Sequence, residues 1–202
     1  MIVGLHGYPR CGKNAVADIL VREHGFVVVS IADHIRRRAI EEDHRYADGS
    51  RYSQLVAEIG YDDLKDHPVH GPETRTFLQD LALNERRSRG EDVYVRVAAA
   101  KAAQLRAERP GVHIAVPDVR YPSDAGWVRS EPGLSQILRI ERPGIIDTTG
   151  HVAEQPLPPG SIDQTLHNDG DLDHLSDIVS TWLDILRRDT LDTMRGVSPR
   201  AA

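Results

Sequence analysis

The stretch Gly7-Tyr8-Pro9-Arg10-Cys11-Gly12-Lys13-Asn14 has the spacing G-x-x-x-x-G-K, and no other feature limits the fold of this chain as strongly. The glycines let the backbone fold tightly and aim its N–H groups at one point. A helix starting just after them adds the positive end of its dipole, and Lys13 adds a point charge. Such a turn cradles phosphate oxygens, and it needs a strand before it and a helix after it. Both are written in the sequence. Ile2 to His6 is a short apolar run of buried-strand length. Asn14 to Glu23 carries Ala15, Val16, Ile19 and Leu20 at helical spacing, and Gly25 can end that helix.

The last place of the motif departs from the pattern. A Ser or Thr hydroxyl usually follows the lysine and ligates Mg²⁺, whereas this chain has Asn14. An amide oxygen can also ligate a hard cation. Asn14 and Asp118 are the candidate metal ligands.

Beyond the loop, strand-like and helix-like segments alternate. The β-branched run Phe26 to Ile31 predicts a second strand, and Ala32 to Glu42 a charged helix. A helix over Gln54 to Ile59 is followed by Gly, Pro and His residues that read as a loop. Glu73 to Arg89 predicts a helix broken by Gly90, and Asp92 can cap another that ends near Glu108. Val112 to Val116, Ser135 to Ile140 and Ser161 to His167 predict three more strands, and Tyr121 to Arg129 and Leu172 to Arg188 two more helices. Arg142 to Gly160 is rich in Pro, Gly and Thr, and a loop of that length is often a lid. The expected fold is a three-layer α/β/α P-loop domain with a five-stranded parallel sheet. It would span residues 1–195, with a helical region at about 33–109, a lid at about 142–160 and a tail over 196–202.

Composition sets bounds on partners. The net charge of −6 argues against a protein that coats nucleic acid. No run approaches the roughly 18 apolar residues of a membrane span, and the N-terminus reads as a strand rather than a signal peptide. A single cysteine, Cys11, excludes an internal disulfide and fits a reducing, cytoplasmic setting. Oligomeric state is left open, a homodimer included.

Several groups could serve a phosphate site. Asp33 follows the second predicted strand and Asp118 the third, so both would lie at the carboxyl edge of a parallel sheet. Asp33 could equally cap a helix, and Asp118 could equally form a turn. Arg36, Arg75, Arg86, Arg120 and Arg142 could grip phosphates with their planar forks or stand as solvated surface charges. His67 and His70 lack further ligands nearby and read as loop residues. Asn168 to Asp173 misses the Gly and Glu of a calcium loop.

Four segments resemble the phage-type deoxynucleoside monophosphate kinases, within the P-loop nucleoside monophosphate kinase fold. They are the loop through Lys13; Thr74-Arg75 with Phe77-Leu78-Gln79 and Glu85-Arg86; Asp118-Val119-Arg120-Tyr121-Pro122-Ser123-Asp124-Ala125; and His151-Val152-Ala153-Glu154 with Asn168-Asp169-Gly170. The resemblance implies ATP and Mg²⁺ as cofactors and a deoxynucleoside 5′-monophosphate as acceptor. It puts ATP against Gly7, Arg10, Cys11, Gly12, Lys13, Asn14, Ala15 and Asn168 to Gly170. The acceptor would meet Asp33, Arg36, Arg75, Gln79 and Arg86. Lys13, Asp118, Arg120 and Arg142 would serve the reaction centre, Arg142 from the lid. A phage origin would mean a bacterial host's cytoplasm. Dephospho-coenzyme A or shikimate-type kinases of the same fold, and a non-catalytic nucleotide-binding protein, are the alternatives. Ala82-Leu83-Asn84, Ala153 and Pro117 depart from the family pattern, as Asn14 does.

Overall fold

A computed structural model describes residues 1–146, 156–158 and 160–194. The chain divides into two compact units, one of residues 1–28 and 109–202 and the other of residues 29–108.

The first unit is built on β1 (Ile2–His6), β2 (Val27–Val28), β3 (Ile114–Val116), β4 (Ser135–Glu141) and β5 (Gln164–His167), all parallel, in the order β2-β3-β1-β4-β5. Its helices are α1 (Lys13–His24), α7 (Pro122–Ser130) and α8 (Leu172–Met194). Every residue of β1 is buried, as expected of a central parallel strand covered on both faces. Alternation decides which face each residue serves. Val3 and Leu5 join Leu138, Ile140 and Leu166 in a core with Val16, Ile19 and Leu20 of α1 and Leu175, Val179, Trp182 and Leu183 of α8. Gly4 faces the other way, where a Cβ would stand 2.8 Å from Val119 and 3.3 Å from Val128 of α7. A glycine at this place lets α7 approach the sheet. The result is the three-layer arrangement expected from the alternating pattern.

Strand order also locates the site. β1 leads towards β2 on one side, and its neighbour β4 leads towards β5 on the other. Outgoing chains therefore part between β1 and β4, and the carboxyl ends of strands at such a switch point leave a crevice.

The second unit is helical: α2 (Asp33–Glu42), α3 (Tyr52–Ile59), α4 (Tyr61–Asp66), α5 (Gly71–Arg89) and α6 (Val93–Glu108). Ala39, Tyr46, Tyr52, Leu55, Leu64 and Leu78 form its core. Two expectations are corrected here. The second strand covers only Val27–Val28 rather than Phe26 to Ile31, because its one partner, β3, pairs with it through Ile114 and Ala115 alone. The stretch after α3, expected to be a loop, holds α4, whose Leu64 is wholly buried.

Candidate functional site

The phosphate loop takes its shape from residues that only glycine, or a strained substitute, can fill. Gly7 has φ 141° and Gly12 φ 111°, both in the left-handed half of backbone space. Arg10 adopts φ 66° between them, a conformation uncommon outside glycine. Space imposes the same choice. A Cβ on Gly7 would run into the Ile140 carbonyl oxygen, and one on Gly12 into Asn168 Nδ2. Gly12 caps α1 without any side-chain bond, and no acidic residue lies in the first turn, so the positive helix end is left to an incoming anion. Lys13 lies over the loop: its Nζ donates to the carbonyls of Gly7 at 2.6 Å and Tyr8 at 2.7 Å, with Cys11 Sγ at 3.9 Å. Asn14 is exposed on the first turn of α1, beside half-buried Ala15.

Asn168 fastens this loop from the far end of the sheet. Its Nδ2 donates to the Cys11 carbonyl at 2.9 Å in a buried contact, and its own N–H donates to Glu141 O at 2.7 Å. The following residues shape the start of α8. Asp171 Oδ1 accepts from His174 N at 2.9 Å, Asp169 pairs with His174 at 3.2 Å, and a Cβ on Gly170 would collide with the His174 ring. The Asn168-Asp169-Gly170 segment thus has a local structural account: it holds the phosphate loop and opens a helix.

The Asp118 to Ala125 motif resolves into three parts. Val119 is 1% exposed, its N–H donates to Leu5 O at 3.2 Å, and its carbonyl accepts from His6 Nδ1 at 3.0 Å. Asp124, 1% exposed, accepts from the N–H groups of Arg120 and Tyr121, both at 2.9 Å. That is the acidic third residue of a helix reaching back to the cap residue and the one before it, and Pro122 sits where its missing N–H costs nothing. Asp118, half-buried, and Arg120, exposed, flank the anchored valine at the carboxyl end of β3, next to β1.

At the carboxyl ends of β1 and β4 lies a cavity of about 300 Å³ lined by His6, Gly7, Cys11, Arg139, Glu141, Arg142 and neighbours. Register explains the lining: His6 stands beside Arg139, and Glu141 beside His167. Glu141 pairs with Arg139 at 2.8 Å and His167 at 3.7 Å. Burial lowers the His6 pKa; the bond to Val119 O opposes this, and the nearby charges of Arg139, Lys13 and Arg120 lower it further. His6 is therefore neutral at pH 7, with its proton on Nδ1. Arg142 is exposed. The remainder of the expected lid, residues 147–155 and 159, with His151, Val152, Ala153 and Glu154, lies outside the described residues, as does the tail 196–202.

In the helical unit, Arg75, Gln79 and Arg86 occupy one face of α5, at i, i+4 and i+11 of a 3.6-residue period. Arg75 donates to Lys65 O at 3.1 Å and Asp66 Oδ1 at 2.5 Å. Arg86 lies 5.0 Å from the Tyr94 ring centre and donates to Glu91 O at 2.5 Å. Gln79 is exposed. Asp33, the first residue of α2, pairs with Arg36 at 3.1 Å, and Arg36 lies over the Tyr61 ring. His67 serves as the expected loop residue, its Nδ1 accepting from the N–H groups of Val69 and His70. Sequence reading missed a buried centre: Glu85 accepts from His34 Nε2 and Arg38 Nε, both at 3.1 Å. Burial alone would push the Glu85 carboxyl up, but these bonds and nearby Arg89 outweigh it and hold the carboxyl below its ordinary range.

Comparison with known proteins adds little. No family model matches the chain, and no curated protein matches its sequence. Among solved structures, shikimate kinase from Aquifex aeolicus vf5 is similar at 13% identity, over 95% of this chain and 99% of that one, with a TM-score of 0.45. The protein TT1252 from Thermus thermophilus is similar at 19% identity, over 93% and 97%, with a TM-score of 0.47. Both likenesses are distant, and the fold stated above rests on strand order and loop geometry.

Proposed function

We propose that this chain is a kinase that moves the γ-phosphoryl group of ATP to a deoxynucleoside 5′-monophosphate. The observation that carries the reading is the loop: two sterically required glycines, an uncapped helix start and Lys13 converge on one point. The anchored Asp118-Val119-Arg120 turn at the neighbouring strand end supports phosphoryl transfer over simple binding. The likeness of the Arg75, Gln79 and Arg86 face to the family's acceptor helix supports a nucleotide as acceptor.

In the transfer, an acceptor phosphate oxygen forms a bond to the γ-phosphorus as the bond from that phosphorus to the β–γ bridging oxygen breaks. ADP and a deoxynucleoside diphosphate result. The acceptor phosphate is already nucleophilic, so the protein mainly positions groups and neutralises charge. Lys13 and the loop N–H groups would hold the donor phosphates, and Arg120 and Arg142 would meet charge that builds on the moving group. The helical region at about 33–109 would supply the acceptor site, with Asp33, Arg36, Arg75, Gln79 and Arg86 as its contacts.

The residues present fit Mg²⁺ only in part. Among the described residues no three His, Cys, Asp or Glu side chains gather as a metal site. Asn14 and Asp118 would therefore hold a metal whose other ligands are phosphate and water, a usual arrangement for Mg²⁺. Bound there, Mg²⁺ supplies charge neutralisation across the phosphates.

The test is ADP release with Mg-ATP against each deoxynucleoside monophosphate in turn. Acceptor-dependent release with at least one is expected. Release no faster than background with all of them sinks the reading, and ATP binding without turnover would mark a non-catalytic nucleotide-binding protein instead.

A further inference from the structure

His6 is the one polar residue of β1, and it is 7% exposed. Nothing in the phosphate-loop pattern calls for a histidine there. Its Nδ1 donates to Val119 O at 3.0 Å, while one residue earlier in β1 Leu5 O accepts from Val119 N at 3.2 Å. Both peptide groups of Val119 are thus tied to the last two residues of β1. The valine side chain is held as well, against Gly4. β3 ends at Val116, so the turn lies beyond that strand, held by the two bonds of Val119 and by the Asp124 carboxylate on the Arg120 N–H. Without the imidazole, the Val119 carbonyl would lose a donor supplied 113 residues away. The residues on either side of this anchor are Asp118 and Arg120.

We propose that His6 is a positioning residue, whose Nδ1–H fixes the Val119 carbonyl and so sets Asp118 and Arg120 at the end of β3 next to the phosphate loop. The proposal rests on the kinase reading only for its catalytic consequence; the anchoring itself is independent of it. The imidazole also lines the cavity at the carboxyl ends of β1 and β4, together with Arg139 and Glu141 from β4 and His167 from β5, and the charges of Arg139, Lys13 and Arg120 act on it. Its contact with Val119 O is made by Nδ1 in either protonation state, so the anchoring holds across the pH range in which the protein is folded.

The test compares His6→Asn, whose amide N–H stands close to where Nδ1–H does, with His6→Leu, which keeps bulk and loses the donor. Three quantities are read for each: the melting temperature, the amide exchange rate of Val119 and Arg120, and kcat and KM for ATP and the acceptor. His6→Leu is expected to raise Val119 exchange at least about tenfold relative to β1 amides, and His6→Asn to leave it within about threefold of the wild type. With a working acceptor, His6→Leu is expected to lower kcat at least about tenfold while KM for ATP changes less than threefold, and His6→Asn to restore most of kcat. A merely structural role would lower the melting temperature and leave kcat of the folded protein unmoved. Unchanged Val119 exchange in His6→Leu, or equal kcat in the two variants, overturns the proposal. If the wild type turns over no acceptor, the kinase reading fails, and the exchange measurement alone decides the anchoring. Should His6→Leu not fold, His6→Gln, which places its amide nearer Nε2 than Nδ1, takes its place and is expected to give the same faster Val119 exchange; unchanged exchange there overturns the proposal equally.

Discussion

At the residue scale, Lys13 would carry the heaviest load in the proposed transfer. Its ammonium already lies over the loop, 2.6 Å and 2.7 Å from two loop carbonyls, so little movement separates it from a phosphate in the same cradle. Lys13→Ala is expected to cut turnover at least about 100-fold, the scale of losing one preorganised charge contact; activity assays at saturating ATP check this, and unchanged turnover would move the phosphate site elsewhere. Asn14 is exposed at the helix start, which gives its amide freedom to reach a cation but no fixed aim. Asn14→Thr is expected to lower the Mg²⁺ concentration needed for half-maximal rate, read from a Mg²⁺ titration. No change would show that residue 14 is not a ligand. Both residues are singled out in the sequence by their place in the motif. The sequence did not announce His6 or Asn168 as anchors, because their partners are the backbone of residues 113 and 157 positions away, and backbone partners leave no residue signature. A polar residue closing an otherwise apolar strand was the one available signal for His6.

At the scale of elements, the loop and its clamp act as a unit. Asn168→Ala removes the buried donor to Cys11 O, which costs about 1–3 kcal/mol where the carbonyl is left unpaired. The predicted result is ATP affinity weakened about tenfold or more by calorimetry, with a smaller loss in the melting temperature. Helix α5 makes the second case. Its Arg75, Gln79 and Arg86 face stands opposite Glu73, Phe77 and Asn84, which line a separate groove with His44. Arg75→Ala is therefore expected to raise KM for the acceptor at least about fivefold and leave KM for ATP nearly unchanged; a rise in both would place Arg75 outside the acceptor site. Elements were largely legible because period and punctuation agree: β1 matches its apolar run residue for residue, and α5 ends at Arg89 before Gly90 as the glycine requires. β2 was overestimated because a β-branched run signals burial, whereas strand length is set by the partner. α4 was missed because six polar-rich residues carry too little periodicity, and its one buried leucine shows only in three dimensions.

At the scale of the molecule, titration links stability to pH in two windows. Burial and neighbouring cations hold His6 below the ordinary imidazole value, and burial with the terminal ammonium does the same for His113. The unfolded chain then binds protons that the folded chain refuses, so stability is full above about pH 6.5 and falls as the pH drops towards the lowered values. Glu85 has a carboxyl held below its ordinary range, so its contribution stands above about pH 4.5 and is lost on further acidification. Melting curves from pH 8 to pH 3 should show a first decline beginning near pH 6.5 and a second below about pH 4.5. The double variant His6→Asn with His113→Gln should flatten the first decline alone. Melting temperatures that stay level down to pH 5 would contradict it. Neither window could be read from the sequence, because ten histidines look alike until burial separates them.

The clamp between Asn168 and Cys11 also orders events in time. Residues 7–13 leave the ribosome well before Asn168 does, and the contact that completes their shape waits for that residue 157 positions after Cys11. Until then the loop is an unfinished mould, and the chain that follows β5 completes it only once that strand has joined the sheet.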